Sequence, residues 1–400
     1  MLDLTKIANQ MQGISQHLTL EAAATRQRLD HAQRLLHIAQ QQYAALLKVQ
    51  ETWRDRLSFT VAVPMEPLDQ RDRISAPPAA HTVLATDGSQ IAPSHHEIAY
   101  CYLINVGRIA LYYGQNRLPL LDNLPEVVYR PDDLYISRQW GISTEEWMGY
   151  RRTVSEAIVL ADLATQVCGL SDAPNLALTD GSLIYWFLDP LPQEARDRIL
   201  SPILDAWSEL RRAQVPLVGY VSASRSGEAL NFLRLPACPY EVPDCLRQCA
   251  SPAGTPAASR DRPPCQILDP LKDTQLWATQ LEPGQRSPLW RSSASILDLY
   301  GDHRIYFCYV HVGTEIARVE FPEWVAQDAN LLDMSLRLVV AQVQKGYGYP
   351  VALAEAHNQA VVRGGDRTRF FAMLEQEMIR AGLQNVGVSY KEARKRGSIA

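Results

Sequence analysis

Thr-Asp-Gly-Ser occurs twice in the chain, at Thr86-Asp87-Gly88-Ser89 and at Thr179-Asp180-Gly181-Ser182, each time after an apolar run. A β-prone apolar run ending in Asp reads as a buried strand that delivers a carboxylate at its end, while the following Gly permits a sharp turn and a close backbone approach. Asp, Gly and Ser are common turn formers, so one copy alone is better explained by an ordinary turn. Two copies that also agree in the residue before the Asp carry more weight. A third carboxylate, Glu156, lies between them on a stretch with helical spacing. Arg151 and Arg152 precede it, and Ala157 and Ala161 are small enough to let the helix sit close to a sheet. Neighbouring carboxylates repel each other unless they share a cation. Hard oxygen ligands select Mg2+ or Mn2+ over softer metals. A pair of such ions activates a water and stabilises the leaving oxygen of a phosphodiester, with no covalent nucleophile. A lone His on a helix is more often structural, yet His357, in the segment from Tyr349 to His357, follows a turn and could ligate a metal or carry a proton near neutral pH.

The elements needed to position these groups are legible as patterns. Residues 1 to about 58 hold no proline and carry apolar residues at three- and four-residue steps, so they read as one or two long helices. Such a stripe can lie on its own domain or pair with a copy of itself. Residues 61–80 are proline-containing and read as a linker. The runs His81–Thr86, Glu97–Val106 and Arg108–Tyr113 read as three strands, the last two joined through Gly107. There follow a helix over 144–168, a strand over 175–179, a helix over 193–212 and a strand over 216–221. This order gives a mixed sheet flanked by helices. Residues 236–265 read as an inserted loop rich in Pro, Ala, Ser and Cys. Beyond it come a helix over 271–281, a hairpin turning near Gly313, a helix over 322–344, two further helices and a basic tail from residue 383.

Composition sets the frame. With 46% apolar residues the chain can bury a large core. The formal net charge of −5 argues against a protein that coats nucleic acid through one large basic face. Seven scattered cysteines and the lack of a charged-then-apolar leader lead us to expect a cytoplasmic chain. No apolar run approaches the roughly 20 residues of a membrane helix.

At these residues the sequence resembles the NurA nuclease family, DNA-repair nucleases of ribonuclease H-like fold. The likeness covers residues 80–382. It rests on Asp87-Gly88-Ser89, the helix bearing Glu156, Thr179-Asp180-Gly181-Ser182-Leu183, the segment Gly284 to Trp290, Arg318-Val319-Glu320-Phe321-Pro322, and Ala356-His357. The resemblance implies an α/β, ribonuclease H-like mixed sheet flanked by helices, with an N-terminal long-helix extension and a C-terminal extension of hairpin plus helices. Its implied domains are an N-terminal helical region (1–60), a linker (61–80), a nuclease domain (81–382, with the insert) and the tail (383–400). It further implies Mn2+- or Mg2+-dependent cleavage of DNA with two ions, 5′-to-3′ exonuclease and single-strand endonuclease activity, a homodimer, and a HerA-type hexameric ATPase as partner in DNA end resection. Asp87, Glu156, Asp180 and His357 carry over as metal-site residues. Asp273 is a further candidate ligand whose other reading is a helix cap, and Arg225 and Arg286 are the candidates to face DNA.

Other signals point elsewhere. Cys238, Cys245, Cys249 and Cys265 lack a tight Cys-x-x-Cys pair and lie among Pro and Ala, which argues against zinc. His95-His96-Glu97 does not have the spacing of a zinc-protease helix, and Gly346-Tyr347-Gly348-Tyr349 lacks the end of a phosphate-binding loop. The competing functional class is a non-catalytic scaffold of the same fold that binds DNA or a partner.

Overall fold

The computed structural model describes residues 4–94, 99–249 and 263–382. It begins with helices α1 (Leu4–Gln41) and α2 (Tyr43–Trp53) and the short strands β1 (Val63–Pro64) and β2 (Asp72–Arg73). Strands β3 (His81–Ile91), β4 (Tyr102–Tyr113) and β5 (Leu120–Val128) come next, then helices α3 (Pro131–Leu134) and α4 (Thr144–Val167). They are followed by β6 (Asn175–Asp180), α5 (Gln193–Arg212), β7 (Leu217–Val221), α6 (Glu228–Phe232), α7 (Cys245–Gln248) and α8 (Asp273–Ala278). Last come β8 (Gln285–Arg286), β9 (Trp290–Arg291), β10 (Ile305–His311), β11 (Ile316–Pro322), α9 (Glu323–Ala326), α10 (Ala329–Lys345), α11 (Val351–Ala360) and α12 (Gly364–Arg380). Contacts divide the chain into two discontinuous units, Met1–Ile74 with Tyr220–Glu323, and Ser75–Gly219 with Trp324–Ala400.

The unit built on residues 75–219 holds neighbouring strands in the order β7-β6-β3-β4-β5. β3 runs antiparallel to β4 and parallel to β6, and β4 runs antiparallel to β5. The first six residues of β3 are all buried, as expected of a central strand covered on both faces. Helix α4 packs on β3, β4 and α5, and α11 packs on β3 and β4. This is the mixed sheet flanked by helices that the sequence pattern predicts.

The sheet departs from the expected strand boundaries in two instructive ways. β4 does not break at Gly107; it runs through it, with Gly107 paired to Asp87. A Cβ at Gly107 would lie 2.4 Å from the Ala356 carbonyl oxygen and 2.5 Å from the Ala360 nitrogen. That glycine makes room for a helix backbone instead of a turn. β5, absent from the sequence reading, is mostly exposed and contains Pro125. An edge strand of this kind carries neither the apolar alternation nor the proline-free run by which strands are recognised.

In the other unit the β10–β11 hairpin is antiparallel, with Gly313 at φ 103° in its turn. β8 and β9 pair with β10, β1 pairs with β9, and β2 pairs with β8. The core gathers Trp277, Trp290, Phe307 and Tyr309 with Ala32, Leu35, Leu36 and Leu46 of the N-terminal helices. Residues 1–60 therefore group with 220–323 and do not stand apart. The stretch expected to be a linker also contributes structure. Val61, Ala62 and Leu68 are buried, and Pro64 sits in a two-residue strand where its missing N–H costs nothing. The expected helix over 322–344 is two helices, because Asp328 accepts from the Asn330 and Leu331 amides and starts α10 afresh. The basic tail, His95-His96-Glu97 and the middle of the 236–265 insert lie outside the described residues.

Candidate active site

The two Thr-Asp-Gly-Ser copies occupy different backbone settings. Strand β3 continues past its copy as far as Ile91, with Asp87 opposite Gly107 and Ser89 opposite Asn105. In the second copy β6 stops at Asp180, and Gly181 takes φ 98°. The strand-end reading thus applies to Asp180 and not to Asp87. β3 and β6 pair in parallel up to Thr86 and Thr179, which brings the two following aspartates to neighbouring positions.

Side chains alternate across a strand. The side of the sheet to which Asp87 and its partner Gly107 project is covered by α11, and the side to which a Gly88 side chain would project is covered by α4. At Gly88 a Cβ would meet Glu156 Oε1 at 2.3 Å and Arg152 Cγ at 2.7 Å. Helix α4 presses its carboxylate into the space a side chain would fill. Ala157, Ala161 and Ala164 are buried on this helix, and the Thr86 hydroxyl donates to the Glu156 carbonyl at 3.1 Å. On the other face, Ser89 Oγ donates to the Ala360 carbonyl, as does Asn105 Nδ2 at 2.7 Å. The end of α11 is anchored there, and His357 Nδ1 stands 2.7 Å from Asp87 Oδ2.

The charges crowd one another. Burial pushes the Glu156 carboxyl up to about 7; Arg152, with its Nε 3.3 Å from Oε1, opposes the rise, while Asp87 and Asp180 add to it. The Gly88 N–H donates to Asp87 Oδ1 at 2.8 Å and also favours the Glu156 carboxylate. Burial likewise raises Asp180, a hydrogen bond from Tyr349 lowers it, Asp87 raises it and His357 lowers it. These effects place Asp87, Glu156, Asp180 and His357 in one electrostatic neighbourhood. A cavity of about 410 Å³ lined by Asp87, Arg152, Glu156, Asp180, Ser182 and Trp186 among others opens beside them.

Three carboxylates with an imidazole at the rim are the donor kinds a hard divalent cation takes, and their mutual repulsion is what such a cation would relieve. The set fits by chemistry and by neighbourhood. As placed, Asp87 is engaged by His357 and Glu156 by Arg152. Among the described residues no three His, Cys, Asp or Glu donors are grouped to coordinate one ion. Side-chain rotation would have to close the set.

A family model of the NurA domain matches residues 81–362. The chain belongs to the NurA family. The resemblance read from the sequence therefore holds, and with it the coarse class of nuclease. Among solved structures, the NurA nuclease from Sulfolobus solfataricus aligns with a TM-score of 0.52 over 95% of this chain and 98% of that chain. At 12% identity that likeness speaks for the fold alone. No curated protein matches the sequence.

The remaining predicted site residues of this NurA-family chain go elsewhere. Asp273 is buried in the other unit, where its carboxylate accepts from the Ala229 and Leu230 amides at 3.1 and 2.7 Å and from the Tyr309 hydroxyl at 2.6 Å. It caps α6, with its carboxyl pushed up to about 6 by burial. Both oxygens are committed, so the structure gives it the work of a cap in place of a ligand's. Arg286 is buried and bonded to Glu66 at 2.6 and 2.9 Å and to Asp72. Its charge is spent inside the protein, which removes the basis for expecting it at DNA. Arg225 is exposed on the loop after β7. Tyr349 is the residue sequence reading missed. The Gly-Tyr-Gly-Tyr turn, with Gly348 at φ 122° and no room for a Cβ at Gly346, delivers its hydroxyl to Asp180. A turn followed by Pro350 and His357 was the available signal.

Proposed function

We propose that this NurA-family chain is a divalent-metal-dependent DNA nuclease whose active site comprises Asp87, Glu156, Asp180 and His357. The observation that carries this reading is that two strand carboxylates and one helix carboxylate lie within electrostatic reach of one another beside an open cavity that all three line. When bound there, Mn2+ or Mg2+, as two ions, would supply a nucleophilic water and charge stabilisation for phosphodiester hydrolysis. The chain's own residues have separate tasks. Asp87, Glu156 and Asp180 would hold the cation, His357 orients Asp87 and can carry a proton, and Tyr349 fixes Asp180. Arg152 balances Glu156 while the site is open.

Family resemblance supports the finer reading: 5′-to-3′ exonuclease and single-strand endonuclease activity in DNA end processing and repair, in the cytoplasm, alongside a HerA-type hexameric ATPase. Among the described residues no helix is long and apolar enough to cross a membrane. A homodimer is supported by exposed Leu4, Met11, Ile14, Leu18 and Leu20 on the first half of α1. Arg225 is proposed to meet DNA phosphate.

The decisive experiment incubates full-length protein with labelled single-stranded DNA and Mn2+. Cleavage should occur, stop with chelator, and fall by about 10²-fold or more in Asp87→Ala and Asp180→Ala, in line with loss of transition-state charge stabilisation. Cleavage retained in both variants, or its absence in the wild type, would return the chain to the scaffold class.

A further inference from the structure

We propose that Cys238, Cys245, Cys249 and Cys265 bind one structural Zn2+ that ties the stretch Cys238–Cys249 to Cys265 within the unit that carries both. The four line a single cavity of about 10 Å³, roughly the space of one water or one ion. They come from four separate points of a segment whose described part contains little regular structure: the four-residue helix α7 and a single 3-10 turn over Pro264–Leu268. Despite this, Cys245 and Cys265 are buried. For a stretch with so little regular structure in its described part, a metal cross-link is a source of order that small, loop-rich segments use.

The local geometry suits thiolate ligation. Cys245 and Cys249 are four residues apart around α7, the spacing that places two side chains on one helix face, and the Cys249 amide donates to the Cys245 carbonyl at 3.1 Å. The Tyr240 amide donates to the Cys238 sulfur, an outer-shell bond that orients a ligating thiolate. Four thiolates around Zn2+ leave a net negative charge. The Arg234 guanidinium is positioned to offset it, with Nη2 3.9 Å from Cys265 Sγ and its plane over Phe59 at 3.7 Å. Arg234 is itself buried, its Nη1 stands 3.7 Å from Asp269 Oδ1, and among the described residues its Nε has no hydrogen-bond partner. The thiols of Cys238 and Cys249 are raised first by burial; Cys265 and Cys245 raise Cys238 further, and Cys245, Cys265 and Cys238 raise Cys249, which puts these sulfurs within electrostatic reach of one another.

The sulfurs are not grouped at coordinating distance as placed. Tetrahedral ligation needs Zn–S distances of about 2.3 Å. Cys238 and Cys249 are half-buried, and rotation of their side chains would have to bring them onto the buried pair. Metal binding would displace the thiol protons to water, with no oxidation. The absence of a Cys-x-x-Cys pair, which argues against zinc in the sequence, is compensated by the helical Cys245–Cys249 spacing.

Zinc content of full-length protein, expressed with zinc and without chelator, tests the site. We expect about one zinc per chain. Replacement by Co2+ should give thiolate-to-cobalt charge-transfer absorption and tetrahedral visible bands. Cys245→Ser and Cys265→Ser should abolish both signals, while the distant-in-sequence Cys168→Ser and the pair Asp87→Ala/Asp180→Ala retain them, which separates this site from the carboxylate site. If the cysteine variants do not fold, the wild-type cobalt spectrum decides alone. A folded wild type without zinc and without thiolate–cobalt absorption overturns the proposal, and so does a disulfide among these cysteines.

Discussion

The same four residues, Thr-Asp-Gly-Ser, do two different jobs in β3 and β6. In β3 the glycine lies inside a continuing strand at ordinary φ, and its missing side chain is the space that Glu156 occupies. In β6 the glycine ends the strand at φ 98° with nothing near its absent Cβ. One glycine is required by its neighbour and the other by its own backbone. The threonines differ in parallel: Thr86 ties β3 to the helix carrying Glu156, while Thr179 reaches across to the Val218 carbonyl at 3.4 Å. A repeated phrase thus reports a repeated need for a placed carboxylate and says little about the backbone that places it.

Substituting the glycines is the sharpest way to break this comparison. Gly88→Ala should displace the Glu156 carboxylate, and a shift of about 1 Å at a reacting group can cost ~10²-fold in rate. Its melting temperature should change little, since the atoms it meets belong to side chains. Gly181→Ala should do the reverse, losing about 1–2 kcal/mol of stability for an L-residue held at positive φ, with a smaller loss of activity. Equal losses of rate and stability in the two variants would mean the copies are equivalent after all.

The partners of the aspartates extend the test. Tyr349→Phe removes the hydrogen bond that lowers Asp180, so the Asp180 pKa should rise. Activity should drop by about 10-fold, as loss of a charge-assisted hydrogen bond implies, with the acid limb of the pH–rate profile moving to higher pH. An unmoved profile would make Tyr349 merely structural.

A smaller effect concerns Glu156. Its folded-state pKa of about 7 stands above the ordinary 4.5, so between these values the folded chain holds a proton that the unfolded chain has released. Metal-free stability should therefore fall as pH rises through that window and level off above it. Glu156→Gln, which does not titrate, should flatten the slope. Melting curves in chelator across this range check it, and identical slopes in the two proteins would show that Glu156 is not raised. Smallest of all, Thr86→Val and Thr179→Val should each cost about 1 kcal/mol for a lost hydrogen bond, and only Thr86→Val should lower the rate.

Much of this was legible in the sequence, for identifiable reasons. The carboxylates of residues 87, 156 and 180 stood out because two close apolar runs and one lies in a helical pattern. Helices α4 and α5 were readable because their buried apolar residues recur at helical spacing. Gly107 misled because local reading treats glycine as a breaker, whereas here the cause is a helix about 250 residues later in sequence that packs onto it. Edge strand β5 lacked a buried face to reveal it. Tyr349 was obscured because a turn motif does not disclose where its last side chain points, and Asp273 and Arg286 because a charged residue's partners are set by packing alone.

Asp87 and His357 are 270 positions apart, yet their side chains meet. A ribosome makes this chain from the amino end, so the strand bearing Asp87 emerges long before α11 exists. No growing chain can own the pair until residue 357 has been translated. Synthesis itself thus delays the completed centre, and truncated products released early lack it.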